Sequence, residues 1–148
     1  GLQTVMTAHV LVPSMDDALP ATLSATIVTG VLKKELGFDG MVISDDLGMK
    51  AVAATWPLPD AMVASLAAGC DVVLLCNSTL EDQVAALEAV IHAVEDGRLP
   101  MSRIDDALAR QHRVKTRFAP VMTPAAPDLS LIGREAHHVL AQRMSAFL

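Results

Sequence analysis

Along the 148 residues of this chain, short unbroken apolar runs alternate with longer stretches whose apolar side chains recur at helical spacing. Three runs read as strands: Thr4 to Val10, Gly40 to Ser44, and Asp71 to Cys76. Unbroken runs of that length suit parallel strands covered on both faces. Ser24 is placed to N-cap a helix from Ala25 to Leu36, whose Ile27, Val28, Val31, Leu32 and Leu36 share one face. Gly37 is its natural stop. A short turn over Ala51 to Thr55 is broken by Trp56-Pro57-Leu58-Pro59, and Asp60 then caps a helix to Ala68, ended by Gly69. Asn77, Ser78 and Thr79 close the third strand ahead of a helix from Leu80 to Glu95. The turn Asp96-Gly97-Arg98-Leu99-Pro100 follows. Ser102 and Asp105 form a capping-box pattern that opens a helix to Phe118. Ala119 to Asp128, with three prolines, reads as a linker, and a last amphipathic helix is predicted over Gly133 to Phe147.

Strand followed by helix recurs three times, which predicts an α/β fold with parallel strands and right-handed crossovers. A sheet of three strands is small for an independent fold, so the pattern reads as part of a larger barrel or sheet. Folds of this class place their chemistry at the carboxyl ends of strands. Asp45 and Asp46 stand there, at the end of the central run. Successive strand side chains point to opposite faces, so the two acids are expected to do different work. One faces a site; the other faces solvent or caps the following helix.

Composition narrows the partners. A hydrophobic fraction of 52% and a mean hydropathy of +0.42 exclude a disordered chain. No apolar run reaches the roughly 18 residues a membrane helix needs, and Gly1-Leu2-Gln3 lacks the basic start of a secretory signal. A first residue other than Met hints that the chain begins inside a longer one. The net charge of −6, with no Lys/Arg cluster, argues against nucleic acid and anionic membrane as partners. Cys70 and Cys76 flank one strand, about 20 Å apart and beyond disulfide reach. They are expected to be two small buried thiols, which fits a reducing cytoplasm.

Several short motifs then occur in order: Val5-Met6-Thr7-Ala8-His9-Val10, Pro20-Ala21-Thr22-Leu23-Ser24, Leu36-Gly37-Phe38-Asp39-Gly40 and Ser44-Asp45-Asp46-Leu47-Gly48-Met49. Ala68-Gly69-Cys70-Asp71, Leu75-Cys76-Asn77, Asp96 to Pro100 and Arg103-Ile104-Asp105-Asp106-Ala107 complete the series. Together they resemble glycoside hydrolase family 3, closest to its bacterial β-N-acetylglucosaminidase branch. The resemblance covers Thr4 to Phe118 and more loosely the tail. It implies parallel βα units of a TIM-type (β/α)8 barrel, of which residues 1–118 hold only the last three, then a Pro-rich linker over 119–128 and a C-terminal amphipathic helix within 129–148. It also implies a retaining, two-step glycosidase with Asp45 as nucleophile, removing terminal β-linked N-acetylglucosamine from cell-wall fragments in the cytoplasm without a metal or organic cofactor.

One departure matters. The family's acid/base His follows a segment of the Lys-His-Phe-Pro-Gly-His-Gly type, and no such segment occurs in these residues. A noncatalytic half-barrel, stable as a homo-oligomer or with a complementing chain, is therefore the rival expectation.

For the remaining residues both readings stand open. Asp45 could be an ordinary helix N-cap, and Asp46 is expected to cap or to hydrogen-bond behind the site. A metal site built on the two acids lacks further ligands nearby in sequence. His9, on the same rim, is a candidate substrate contact or a hydrogen-bonded structural His, and not the missing acid. Met49 is a candidate flank for the sugar or a core residue. Asn77 donates to the rim or forms a turn. Trp56 stacks on sugar or anchors its loop. His92 and His112 are expected on the surface, and His137 and His138 point about 100° apart on a helix, against shared metal ligation.

Overall fold

The computed structural model describes residues 1–118, 130 and 132–145. It divides into a unit of Gly1–Arg117 and a second of Phe118–Leu148. In the second, helix α5 spans Glu135–Ser145 and buries no residue. It forms the middle of the helix expected over Gly133 to Phe147. The expected linker, Ala119 to Asp128, lies outside the described residues.

The first unit is α/β. Strands β1 (Thr4–Met6), β2 (Met41–Asp46) and β3 (Val72–Leu74) form one parallel sheet in the order β1-β2-β3. Helix α1 is Lys50–Ala53, α2 Leu58–Ala68, α3 Leu80–Glu95 and α4 Met101–Phe118. The first crossover is a π-helix, Thr26–Glu35, in place of the expected α-helix. Its closing bond runs five residues back, from Leu36 N–H to the Val31 carbonyl. Residues Thr26, Ile27, Val28, Thr29 and Val31 are all β-branched, and such side chains crowd the tight α winding. Ser24 caps it as expected, accepting from Ile27 N–H at 3.2 Å, and Gly37 stops it with φ +67°.

Other boundaries differ in instructive ways. β2 runs through both aspartates rather than ending before them. β1 stops three residues short of His9 because the Thr7 and His9 side chains turn away to Thr22, which sits in a 3-10 turn, Ala21–Leu23. β3 ends at Leu74, because from there β2 side chains replace its ladder partners. Thr79, not Ser102, makes a capping box, with Asp82. Met101 already begins α4, so Ser102 lies inside its first turn. Likewise α2 starts at Leu58 behind Pro57, with Asp60 inside the turn it was expected to cap.

Burial alternates along β2. Val42, Ser44 and Asp46 are buried, while Met41, Ile43 and Asp45 are only partly covered. Val42 packs against Val28, Ala68 and Cys70, and Val73 of β3 joins the clusters around Leu47, Val52, Leu66 and Leu99. Helices thus cover one face. The opposite face carries Met41, Ile43 and Asp45 with their β1 neighbours Thr4 and Met6, and Met6 is 57% exposed. The expectation of cover on both faces therefore fails among the described residues. Cys70 is buried and free, whereas Cys76 is free but exposed, because β3 has ended before it.

At the amino edge of the sheet, the fully buried Asp71 carboxylate accepts from Lys33 Nζ at 2.9 Å, from Val42 N–H at 2.8 Å, and from the Arg103 guanidinium. Gln111 holds the Asp71 carbonyl and Arg110 the Gly40 carbonyl, so α4 is fastened across the starts of β2 and β3. Desolvation pulls the Lys33 ammonium below its ordinary pKa, against the pull of Asp71. Removing the carboxylate would strand the largely buried Lys33 without its counter-charge and leave Arg103 with Asp106 alone. Asp71→Ala is expected to lose about 3–5 kcal/mol of stability, read from the urea unfolding midpoint. A loss under about 1 kcal/mol would show that the surrounding charges compensate one another without it.

Candidate active site

The site is built where ordinary strand pairing ends. Between β2 and β3 the register slips: Ile43 pairs with Val72, but Asp46 pairs with Leu74. Three residues of β2 therefore oppose two of β3, which is a bulge. Ser44 Oγ, buried beneath it, accepts from Leu74 N–H at 3.0 Å, and Leu47 N–H reaches the Leu74 carbonyl at 3.0 Å. The bulge kinks β2 just where its two acids stand.

Asp46 faces the helices. Its Oδ1 accepts from Gly48 N–H and from Cys76 N–H, each at 3.0 Å. The Cys76 N–H bond, followed by that from Gly48 and by the nearby Asn77 side chain, holds this carboxyl below its ordinary range despite burial. Asp46 is thus an ionised clasp between the end of β2 and the loop after β3, in line with its expected place behind the site.

Asp45 takes the other face, the one helices do not cover. Its Oδ1 accepts from Asp46 N–H at 2.8 Å. Among the described residues no donor is assigned to Oδ2, so one carboxylate oxygen is restrained and the other is free. Asp46, Leu47 and Gly48 separate Asp45 from the cap position of α1, so it does not cap that helix; Met49 occupies that position without a side-chain bond. Met49 is 45% exposed, which removes it from the core.

Both His9 ring nitrogens are engaged. Nε2 lies 2.9 Å from the Asp46 carbonyl oxygen and Nδ1 lies 2.8 Å from Thr22 Oγ1. A carbonyl oxygen only accepts, so Nε2 carries a proton there; in the neutral ring Nδ1 accepts from the Thr22 hydroxyl. Thr22 Oγ1 also lies 2.8 Å from Thr7 Oγ1. Thr7, Thr22 and Ser44 were given no role from sequence alone. Their only signal was position: all three lie inside the ordered motifs, and Ser44 directly precedes the acids.

Trp56 is half-buried against the cluster around Leu47 and Val52, as a loop anchor would be. His92, His112, His137 and His138 are exposed. Among the described residues no three His, Cys, Asp or Glu side chains gather as a metal site would require, and no helix is long and apolar enough to cross a membrane.

The family model for the glycosyl hydrolase family 3 N-terminal domain matches residues 1–114. The chain belongs to that family. It is 44% identical over 140 residues to a β-hexosaminidase of Thiobacillus denitrificans, covering 94% of this chain and 36% of that protein. A β-hexosaminidase of Alkalilimnicola ehrlichii is 53% identical over 76 residues, 51% of this chain and 22% of the relative. Among solved structures, a family 3 β-N-acetylglucosaminidase from Paenibacillus sp. str. FPU-7 superposes with a TM-score of 0.80 at 40% identity, over 86% of this chain and 24% of that one. The chain thus spans between 22% and 36% of the length of these family 3 relatives.

Because the folded Asp46 carboxyl titrates below the ordinary value of 3.8, it adds stability above that value and loses it as pH falls through the folded one. Asp46→Asn is therefore expected to be less stable than the parent near neutrality, with the gap closing as pH drops below about 4. Urea midpoints of both proteins between pH 2.5 and 7 would check this. A gap independent of pH would show that Asp46 is not held as a carboxylate.

Proposed function

We propose that this chain carries the nucleophile of a retaining β-N-acetylglucosaminidase, on the last three βα units of a TIM-type barrel. The observation that carries the reading is Asp45: a strand-end carboxylate on the uncovered face, with Oδ1 restrained by Asp46 N–H and Oδ2 free. Oδ2 would attack the anomeric carbon as the bond to the aglycone oxygen breaks, and that oxygen takes a proton from a general acid. The resulting glycosyl ester is opened by water, whose proton passes to the same group acting as base, and the carboxylate is restored. No metal or organic cofactor enters this sequence. The acid/base must come from the part of the relatives this chain does not span. The name of the Paenibacillus neighbour, a β-N-acetylglucosaminidase, together with the β-hexosaminidase relatives, supports terminal β-linked N-acetylglucosamine as the sugar. Cell-wall fragments in the cytoplasm are the proposed source.

Met49 and Asn77 are proposed to line the sugar, Met49 as an exposed apolar flank and Asn77 from the rim it shares with Asp46. A sugar contact by His9 would have to use a carbon edge of the ring, since both nitrogens are bonded.

A second reading rests on the uncovered sheet face. Met6, Met41 and Ile43 there favour a chain inactive alone and stabilised by a copy of itself or by a complementing chain. Two assays with a fluorogenic β-N-acetylglucosaminide separate the readings. One uses the chain alone; the other uses a chimera in which it replaces the matching 140 residues of the Thiobacillus denitrificans relative. Turnover is expected from the chimera, and Asp45→Asn should lower kcat by roughly 10³-fold or more. An Asp45→Asn chimera with full activity would overturn the nucleophile assignment.

A further inference from the structure

Around the proposed nucleophile, the residue tied down most heavily is its neighbour. Asp46 is bonded through its N–H to Asp45 Oδ1, through its carbonyl from His9 Nε2 and Met49 N–H, and through carboxylate Oδ1 from Gly48 and Cys76. The carboxylate contacts anchor Asp46 toward β3. On the β1 side the main-chain ladder has already ended, its last backbone bond running from Thr7 N–H to the Ile43 carbonyl at 2.8 Å. Three residues further along β2, a side chain takes over where β1 no longer reaches: His9 supplies a donor to the Asp46 carbonyl from the β1 side at 2.9 Å, while Met49 N–H reaches the same oxygen at 3.0 Å from the loop that follows.

We propose that His9 is a positioning residue for Asp45, acting through the main chain of Asp46. The proposal rests on Asp45 being the nucleophile. By holding the Asp46 carbonyl from the β1 side, His9 Nε2–H joins Met49 N–H in fixing the orientation of that residue, and with it the N–H that restrains Asp45 Oδ1. Oδ2 is then presented in one direction rather than swung about the side-chain torsions. The ring is itself immobilised for the task. Nδ1 is bonded to Thr22, whose side chain is fully buried and bonded in turn to Thr7. A chain of side chains from Thr7 through Thr22 and His9 thus ties β1 and the 3-10 turn to the end of β2. The same bonds argue against His9 as proton donor to the aglycone, since both ring nitrogens are committed inside the protein.

His9→Ala removes the N–H, whereas His9→Gln keeps an amide N–H at a similar reach. Two measurements test the role. In the 148-residue chain, amide exchange at Asp46 should accelerate on the order of tenfold in His9→Ala relative to Val42 in the same protein, and His9→Gln should recover most of it. A general loss of stability would speed both amides alike. In the chimera, His9→Ala should lower kcat about 10- to 100-fold with KM within about twofold, and His9→Gln should restore most of the rate. Unchanged exchange at Asp46, an unchanged kcat, or a Gln variant no better than Ala would overturn the proposal. So would a rise in KM at constant kcat, which would mark His9 as a sugar contact instead. Asp45→Asn in the same chimera keeps the two ideas apart. If that variant is dead while His9→Ala is fully active, only the positioning role falls; if it is active, the nucleophile reading falls first.

Discussion

The buried carboxylate of Asp71 is the constraint on which the rest of the unit depends. A charge taken out of water is tolerated only when opposite charges and hydrogen bonds surround it closely. Asp71 draws one partner from each layer: Lys33 from the π-helix, Val42 N–H from β2 and Arg103 from α4. Those contacts set where β3 begins beside β2, and so where the register stands when the strands reach their other end. Arg110, bonded to Asp106 at 3.0 Å and to the Gly40 carbonyl, extends the same fastening. The helices have little choice of position once these charges are matched, because any other placement strands one of them.

The opposite edge of the sheet is built on the reverse principle. There, main-chain pairing gives out on both sides of β2, and polar side chains take its place. Ser44 and Asp46 receive the N–H groups of Leu74 and Cys76, and His9 supplies a donor to the Asp46 carbonyl. Side-chain bonds of this kind are more local than a ladder, and each can be aimed. A bulge between Ile43 and Asp46 adds the extra residue that lets this end of β2 bend. One edge therefore settles the register and the other spends it, trading regular pairing for an aimed carboxylate.

How far this could be read from the sequence depended on the range of each interaction. The π-helix, α2, α3 and α4 announced themselves through local signals: apolar spacing, Ser24, Gly37, Gly69 and the turn around Gly97, whose φ is +79°. The division of labour between Asp45 and Asp46 followed from strand alternation alone. Strand lengths did not, since an apolar run such as Asp71 to Cys76 looks continuous whether or not a neighbour keeps step with it. The bulge that stops β3 at Leu74 is a relation between two segments, and so is the Thr7–Thr22–His9 chain, whose members are up to 15 residues apart. The winding of the first crossover was missed for a subtler reason. Its apolar positions fit a helix of either pitch, and only the crowding of its β-branched residues marks the wider one.

Two adjacent acids at a strand end pose an electrostatic problem that this arrangement resolves without separating them in sequence. Like charges so close would ordinarily disfavour one another's ionised form. Here Asp46 points back among donors: the N–H groups of Gly48 and Cys76 hold its carboxyl below the ordinary range although it is buried. Its charge is spent on those bonds, on the covered side of the strand. Asp45 presents its carboxyl group on the uncovered side, with one oxygen held and one free. The buried acid is in effect the support of the open one, since the N–H that steadies Asp45 belongs to Asp46. Exchanging the two roles would require turning the strand over, which would carry Val42 and Ser44 out of the core with it.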